Sequence, residues 1–369
     1  MIYLDSGATS FHKPPAVARA VIRAMNTCAN PGRGGYPAAM EAARQVYRCR
    51  EEAAWLFSCR PEQVVMTGSC TQGLNIAIAT LVRPGARVVV SGFEHNAVIR
   101  PLHALGAEIV IAGRRLFDWQ DTLDSFRRAL DRGAEAAVFT HVSNVFGYIL
   151  PVEQLAALCR DRGVPFIIDA AQSAGTMELN FEALGPAFIA MPGHKSLLGP
   201  QGTGILLCRE GGRPLVFGGT GSLSASREMP PDLPERLEAG TLNVPGIAGL
   251  TQGLRYLNRV GVERVGRREH RQLRRCVAGL QSRGMAVFSG PHQAATVSFL
   301  PGMDCEAAAE QLGRQGISVR AGLHCAPAAH ESAGTLATGT VRVSFGYDAG
   351  DAETEALLRA VSRLPPCPQ

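Results

Sequence analysis

The chain has 369 residues, of which 46% are hydrophobic and 19% charged, proportions that are ordinary for a globular enzyme. Its net charge of +5 is small for this length and its basic residues are scattered, so charge gives no support for nucleic-acid binding. The N-terminus lacks the basic and apolar regions of a signal peptide, and no apolar run reaches transmembrane length. The ten cysteines occur singly, without the CxxC pairs of zinc sites. We therefore expect a cytoplasmic protein with reduced thiols and with no metal, membrane or nucleic-acid partner.

Apolar residues at helical spacing predict two helices near the N-terminus, over 15–28 and 38–57. From residue 63 onwards, short apolar runs alternate with helical patterns. The predicted strands lie at 63–67, 87–91, 108–112, 136–140, 164–168, 187–191 and 204–208. Further helices are predicted at 72–81, 121–132 and 150–162. This alternation predicts an α/β domain built on a mainly parallel sheet.

After residue 208 the alternation stops, and the stretch 211–246 is rich in loops. No GxGxxG opens a helix after a strand, which argues against a nicotinamide dehydrogenase. A smaller α+β unit follows, with predicted helices at 247–261, 263–283 and 351–364 and strands at 286–288, 296–300, 318–320 and 340–345. We expect an N-terminal segment (1–14) that contributes to the site, a large domain (15–246) and a small domain (247–369).

Polar residues follow the predicted strands at their carboxyl ends, namely Thr71, His95, Asn144, Asp169, Gln172 and Lys195. Ligands of an open α/β sheet bind at that edge, so these residues predict one shared site. Ser69 and Cys70 precede a predicted helix, whose free N–H groups and dipole favour a phosphate. Capping of the helix by Ser69 or Thr71 explains that pattern equally well.

Lys13 and Lys195 are the only lysines among 37 basic residues. Arginine cannot form an imine with an aldehyde, because its guanidinium stays protonated. Lys13 lies in a His-Lys-Pro-Pro segment typical of a surface turn, whereas Lys195 follows an apolar strand, where burial lowers the pKa of an amine. Lys195 and Asp169 together fit pyridoxal phosphate (PLP), which needs a lysine for its imine and a carboxylate that keeps its pyridine nitrogen protonated. His95 is available to stack on the ring.

Six segments carry a resemblance to a known family: EHNAVIRPL, THVSN, DAAQSAG, GHKSLLGPQGTG, EAGTLN and RAGLHCAP. They are similar to the class V aminotransferase family, and within it to the branch of cysteine desulfurases and selenocysteine lyases. The resemblance covers nearly the whole chain, from LDSGATS to the last helix. It implies PLP fold type I, in which a large domain binds the cofactor and a smaller α+β domain carries a catalytic cysteine.

The same resemblance implies roles for the candidate residues. Lys195 forms the imine, Asp169 pairs with the pyridinium nitrogen and His95 stacks on the ring. The other cofactor ligands it implies are Gln172 and Asn144 near the ring, Ser69, Cys70, Thr71 and His194 around the phosphate, and Thr241 at the phosphate of the second subunit of a homodimer. The residues it implies around the substrate are Ala8, Asn144, Arg320, His324 and Arg342, of which Asn144 and Arg342 hold the carboxylate.

Cys325 matches the nucleophilic cysteine of this branch. Its thiolate is expected to take the sulfur of L-cysteine as a persulfide, leaving L-alanine, and to pass it to a sulfur-acceptor protein. We expect His324 and Arg320 to favour the thiolate. Pro192 stands where the family usually has Ser or Thr; it offers neither a hydroxyl nor an N–H, so we expect weaker cofactor retention.

Three alternatives stay open at this point. One is another PLP enzyme of the same fold, an aminotransferase or a lyase on a different amino acid, although such chemistry has no need of a thiol at Cys325. A second is a sulfur carrier or scaffold that keeps the fold without turnover, which only Pro192 favours. The third is a selenocysteine lyase, because the same residues serve L-selenocysteine and L-cysteine.

Overall fold

The apolar strands of the first two thirds of the chain form one seven-stranded sheet. A computed structural model describes residues 1–32 and 34–367. The helices are α1 (Pro15–Thr27), α2 (Pro37–Phe57), α3 (Cys70–Leu81), α4 (Asn96–Ala104), α5 (Trp119–Asp131), α6 (Val152–Arg160), α7 (Phe181–Leu184), α8 (Val244–Val260), α9 (Val262–Gln281), α10 (Cys305–Arg314), α11 (Pro327–Ala333) and α12 (Asp351–Val361). The strands are β1 (Ile2–Tyr3), β2 (Val64–Thr67), β3 (Arg87–Ser91), β4 (Glu108–Ala112), β5 (Ala136–Thr140), β6 (Phe166–Asp169), β7 (Phe188–Pro192), β8 (Gly204–Cys208), β9 (Ala286–Phe288), β10 (Thr296–Leu300), β11 (Ile317–Ser318), β12 (Arg320–Gly322) and β13 (Thr340–Ser344).

The large sheet has the strand order β2-β8-β7-β6-β5-β3-β4, and β8 alone runs antiparallel to its two neighbours. Strands β5, β6 and β7 are buried along their whole length, because helices cover both faces of the sheet. Successive residues of β6 therefore enter two different cores, Ile168 on one face and Ile167 on the other. The carboxyl ends of the parallel strands meet at one edge, as the sequence pattern predicts.

A second, antiparallel sheet of order β12-β13-β10-β9 lies in the C-terminal part of the chain. Strand β13 alternates between two environments: Val341 and Val343 pack into the core of this part, while Thr340, Arg342 and Ser344 occupy the other face. All five residues are buried. Since three polar side chains share the buried face that points away from the core, that face must meet polar partners.

The N-terminal segment joins the C-terminal part of the chain to the large sheet, and its strand β1 forms a separate two-stranded sheet with β11. Strand β1 pairs in parallel with β11, and Leu4 is buried in the core of the C-terminal part. A few residues later, the amide of Ser10 donates to the carbonyl of His194, 3.0 Å away, in the loop that follows β7. Residues 1–14 thus connect the C-terminal part of the chain to the loop of Lys195.

The seven strands predicted for the large sheet and the loop-rich stretch 211–246 are confirmed, with shifts of up to two residues at the ends. Helix α3 begins two residues before its predicted start, because the Ser69 hydroxyl accepts from the amide of Gln72 and caps the helix. The pattern missed α4, which contains Pro101, and the short elements β1, α7 and α11, as well as α10. The predicted strand at 318–320 is two short strands, β11 and β12.

The expected boundary between residues 246 and 247 falls inside α8. The buried residues Leu250, Leu254 and Leu257 of this helix belong to the same core as the buried face of α2. The division into domains stays a prediction. Within residues 1–32 and 34–367, every helix is too short or too polar to cross a lipid bilayer.

A buried ion pair links the loop-rich stretch to the large core, and its loss should destabilise the fold. Arg50 donates through both terminal nitrogens to the two oxygens of Glu238, at 2.8 and 2.7 Å, and Glu238 also accepts from the amide of Met66. Replacing Glu238 by Gln leaves the Arg50 charge buried and unpaired, so we expect the free energy of unfolding to fall by about 3 kcal/mol. Urea denaturation measures this loss.

The matched control is Glu135→Gln, which breaks an exposed pair with Arg83. There we expect a loss below about 1 kcal/mol, because water screens that pair. Equal losses in the two variants would show that the buried Arg50–Glu238 pair contributes no more to the free energy of unfolding than the exposed pair does.

Candidate active site

The carboxyl edge of the large sheet contains a cavity of about 110 Å³. Nine of the predicted site residues line it together: Ser69, Cys70, Thr71, His95, Asn144, Asp169, Gln172, His194 and Lys195. They come from five separate segments, each of which follows a strand that ends at this edge. Thr140, Val142, Ala97, Ala171 and Pro192 complete the lining.

Lys195 follows β7 in a tight turn that a backbone hydrogen bond stabilises. The amide of Leu198 donates to the Lys195 carbonyl at 2.9 Å, and Leu198 itself has a positive φ of 62°. Burial lowers the pKa of the Lys195 amine, while the charge of Asp169 acts in the opposite direction. A lowered pKa increases the fraction of neutral amine, the form that acts as a nucleophile or a base.

Asp169 is the last residue of β6 and is buried. Its Oδ1 accepts from the amide of Ala171 at 2.9 Å, and the Cys70 thiol donates to the same oxygen at 3.6 Å. Burial and the neighbouring carboxylate raise the pKa of Cys70 well above its ordinary value, so this thiol stays protonated. Asp169 is therefore oriented through one oxygen.

His95 caps helix α4 with its side chain. Its Nδ1 accepts from the amide of Ala97 at 3.0 Å, which leaves the proton of the neutral ring on Nε2. Burial lowers the pKa of His95, and the Asp169 charge opposes that change. The cavity thus has a neutral, fixed imidazole in its wall.

The N-terminus of α3 supplies a place for an anion. Ser69 caps the helix, and the amides of Cys70 and Thr71 belong to its first turn, where backbone N–H groups have no partner within the helix. His194 lines the same region, with its Nδ1 3.0 Å from the Thr9 hydroxyl, and burial lowers its pKa to about 4. Pro192 is the last residue of β7, beyond the part that pairs with β6, so its missing N–H costs the sheet nothing.

Asn144 and Arg342 meet behind the cavity. Arg342 donates from Nη1 to the carbonyl of Asn144 at 2.9 Å and from Nη2 to the carboxylate of Asp5. Asn144 donates from Nδ2 to the carbonyl of His324 at 2.8 Å, and its Oδ1 is buried without a partner among the described residues. Only 1% of the Arg342 side chain is exposed.

The loop of Cys325 is tied to this site by its backbone. His324 and Cys325 both have positive φ, 49° and 57°, a conformation that non-glycine residues rarely adopt and that is frequent at functional sites. The Cys325 carbonyl accepts from the amide of Asn96 at 2.8 Å, next to His95. The Cys325 side chain is exposed and lies outside the lining of the cavity.

His324, which was expected to favour the Cys325 thiolate, has a buried side chain. Its imidazole is buried beneath the loop, with Nε2 3.2 Å from the carbonyl of Thr340. Burial and the Arg342 charge lower its pKa to about 2, so the ring is neutral and supplies no positive charge to a thiolate. Arg320 is exposed on β12, directly opposite Arg342 on β13.

Two other predicted residues lie outside the cavity. Thr241 is exposed and lines a separate cleft of about 530 Å³ with Tyr47, Arg50 and Glu238. Ala8 is half-buried in the N-terminal segment, where its amide donates to the carbonyl of Asp5. In the part of the chain that the structure describes, no group of three His, Cys, Asp or Glu side chains could hold a metal ion.

Sequence reasoning missed two contacts of the N-terminal segment. Lys13, expected on a surface turn, is half-buried: its Nζ donates to the carbonyl and hydroxyl of Ser10 at 2.8 and 2.7 Å and lies 3.4 Å from the His194 carbonyl. Burial lowers the pKa of Lys13 to about 8. Asp5 is the ion-pair partner of Arg342. The alternation of polar and apolar residues along β13 was the available signal that Arg342 is buried on a polar face.

The neutral state of buried His324 has a consequence for stability. Between its lowered pKa of about 2 and the ordinary value of about 6.5, the unfolded chain binds a proton that the folded chain does not. The free energy of unfolding should therefore fall as the pH drops below about 6.5. In His324→Gln this fall should be smaller by up to about 1.4 kcal/mol per pH unit. Denaturation curves at several pH values measure both slopes, and equal slopes would contradict a neutral, buried His324.

Comparisons with known proteins agree with this architecture. The profile of the family described as Aminotransferase class-V matches residues 2–357. A probable cysteine desulfurase of Methanothermobacter thermautotrophicus is 33% identical over 365 residues, covering 94% of this chain and 90% of the relative. The structure is similar to the apo structure of a cysteine desulfurase from Thermococcus onnurineus, with a TM-score of 0.89, 30% identity and coverage of 98% and 94% of the two chains. It is also similar to the cysteine desulfurase CsdA of Escherichia coli, with a TM-score of 0.85, 26% identity and the same coverages.

These likenesses confirm the predicted fold class, a mixed α/β structure with a mostly parallel central sheet. They extend over nearly the whole chain, and the residues that line the cavity lie within the matched range. The chain belongs to the class V aminotransferase family.

Proposed function

We propose that this protein is a PLP-dependent cysteine desulfurase, which converts L-cysteine to L-alanine and takes the sulfur onto Cys325 as a persulfide. One observation carries the proposal. Lys195, with its lowered pKa, and the buried carboxylate of Asp169 face the same cavity. The loop of the exposed Cys325 is hydrogen-bonded to the wall of that cavity. The names of the relatives support the same reaction.

The residues present fit the cofactor. Asp169 offers a carboxylate to a protonated ring nitrogen, and neutral His95 offers a ring face. The amides of the first turn of α3, which have no partner within the helix, suit a phosphate together with Thr71 and His194. Gln172 donates from Nε2 to the Gly7 carbonyl, which orients its amide at the side of the cavity. Oδ1 of Asn144, which is buried without a partner among the described residues, would accept a hydrogen bond from the cofactor or the substrate.

When bound, PLP supplies an electron sink for the charge that develops at the substrate's Cα. The chain supplies the rest. Lys195, with its lowered pKa, removes and returns the Cα proton. The guanidinium of Arg342 suits a carboxylate because it is planar and bidentate.

The sulfur step needs no outside oxidant or reductant. The Cys325 thiolate attacks the sulfur of L-cysteine, the carbon–sulfur bond breaks, and a sulfur–sulfur bond forms. The electron pair of the broken bond returns to the former Cβ, which gains a proton and becomes the methyl group of L-alanine. The exposed Cys325 then presents its persulfide to a sulfur-acceptor protein.

We also propose a homodimer in which Thr241 reaches the phosphate bound by the second copy. Thr241 lies outside the cavity of its own chain, in an open cleft that the buried Arg50–Glu238 pair stabilises. Exposed apolar side chains lie on neighbouring parts of the chain, namely Tyr36, Met40, Tyr47, Leu215, Val216 and Phe217. A second copy covering them would remove that surface from water.

The central test is alanine release from L-cysteine by the purified holoenzyme. Lys195→Ala should abolish it, and Cys325→Ala should lower it by about 100-fold or more while the absorbance of the bound cofactor stays. Cys28→Ala, at a half-buried cysteine that ends α1, is the matched control and should behave like the wild type.

L-selenocysteine is assayed in parallel to distinguish a cysteine desulfurase from a selenocysteine lyase. Release of alanine from L-selenocysteine alone, unaffected by Cys325→Ala, would reassign the protein as a selenocysteine lyase. With cofactor bound and no alanine from either amino acid, both assignments fail and another amino acid must be the substrate.

Mixed dimers test the role of Thr241. Thr241→Ala and Lys195→Ala homodimers should each be impaired, the first because it retains the cofactor less tightly. A mixture of the two chains, allowed to exchange subunits, should regain one intact site per mixed dimer, since the Lys195→Ala chain lends its Thr241 to the other. Cofactor dissociation, followed by absorbance, and alanine release measure the recovery. Its absence in dimers shown to be mixed would place Thr241 outside the partner's site.

A further inference from the structure

Two arginines face each other on neighbouring strands beside the cavity. Arg320 of β12 and Arg342 of β13 are directly paired residues of an antiparallel ladder, so their side chains leave the same face of the sheet. The Arg320 charge is close enough to lower the pKa of Arg342, although burial is the larger cause. Like charges in that arrangement repel, and an anion between or beside them removes the repulsion.

One carboxylate of the chain already pairs with Arg342. Asp5 binds Nη2 of Arg342, and among the described residues Arg320 has no ion-pair partner. Arg342 also donates from Nη1 to the Asn144 carbonyl, and its Nε is buried without a partner in the described part of the chain. With 1% of the side chain exposed, Arg342 has no open edge for a carboxylate from outside.

The backbone holds Asp5 in this position. Asp5 forms an isolated bridge with Ser344, and the amide of Gly7 donates to the Ser344 hydroxyl at 2.7 Å. A Cβ added at Gly7 would lie 3.3 Å from Cζ of Arg342, tighter than an ordinary contact. Glycine therefore lets the segment lie close against the guanidinium. The Asp5 side chain remains 18% exposed, so it has a path away from the arginine.

We propose that Asp5 is an internal substitute for the substrate's carboxylate, and that L-cysteine displaces it from Arg342 on binding. This inference rests on the proposed function. Asp5 then sets substrate affinity, because the substrate's carboxylate must bind Arg342 more favourably than the Asp5 carboxylate does. Thiols that lack a carboxylate are excluded as substrates.

The displacement also reaches the catalytic lysine. The same segment holds the loop of Lys195, because Thr9 and Ser10 donate to the His194 carbonyl, and Gln172 donates to the Gly7 carbonyl. Release of Asp5 loosens one end of that connection. Substrate binding at Arg342 is thereby coupled to the backbone beside Lys195.

The test is the KM of Asp5→Asn for L-cysteine. Asparagine keeps an oxygen that accepts from Arg342 but removes the competing charge, so the KM should fall about tenfold, the worth of one charged hydrogen bond. Asp5→Glu, which keeps the charge, should not lower it. The matched control is Asp348→Asn. The Asp348 carboxylate contacts His12 of the N-terminal segment at an exposed position, so its removal should leave the KM unchanged.

A second measurement uses the wild-type holoenzyme and depends on no variant. L-alanine carries the α-carboxylate and no thiol, so saturating L-alanine should displace Asp5 and speed hydrogen exchange of the amides of residues 6–10. Unchanged or slower exchange would contradict the displacement.

The outcomes separate the two proposals. If the wild type releases alanine from L-cysteine but Asp5→Asn has an equal or higher KM, Asp5 only positions Arg342 and this inference is wrong. If the wild type releases no alanine from L-cysteine, the proposed function itself has failed.

Discussion

The carbonyl oxygen of His194 accepts from the amide and hydroxyl of Ser10 and from the hydroxyl of Thr9, and the position of Lys195 depends on these bonds. A loop after a strand has few bonds of its own, so an amine at its tip would be mobile without outside partners. The partners come from the N-terminal segment, 184 and 185 residues before His194. The N-terminal segment is thus as much a part of the site as the strand that leads to the lysine.

The N-terminal segment connects two parts of the chain because it makes contacts with both. It adds β1 to β11 and buries Leu4 in the C-terminal core, and it also contacts the His194 loop and Gln172 of the large sheet. The carboxylate that neutralises Arg342 belongs to the same segment. A change of the anion bound to Arg342 can therefore shift the backbone of the loop that carries Lys195. Such a shift would couple substrate binding to proton transfer by the lysine.

Burial sets the electrostatics of the cavity. It keeps His95, His194 and His324 neutral and lowers the pKa of Lys195, while it raises the pKa of the Cys70 thiol. The charged groups near the cavity include the carboxylates of Asp169 and Asp5 and the guanidinium groups of Arg342 and Arg320. Cys325 stands apart from this group: it is exposed on a loop with two left-handed residues, so its thiol is open to a partner while its backbone is held at the site.

The sequence by itself determined the strands of the large sheet, the edge at which their polar ends meet, and the choice of Lys195 over other cations, because periodicity and residue chemistry are local properties. It misjudged Lys13, since an exposed turn and a half-buried turn have the same local pattern. It did not indicate that His324 is buried, because its partner Thr340 lies on a distant strand. It likewise gave no sign that Asp5 meets Arg342, 337 residues away. Only the tertiary structure decided these pairings, because the burial and the partner of a charged side chain depend on which distant segments pack against it.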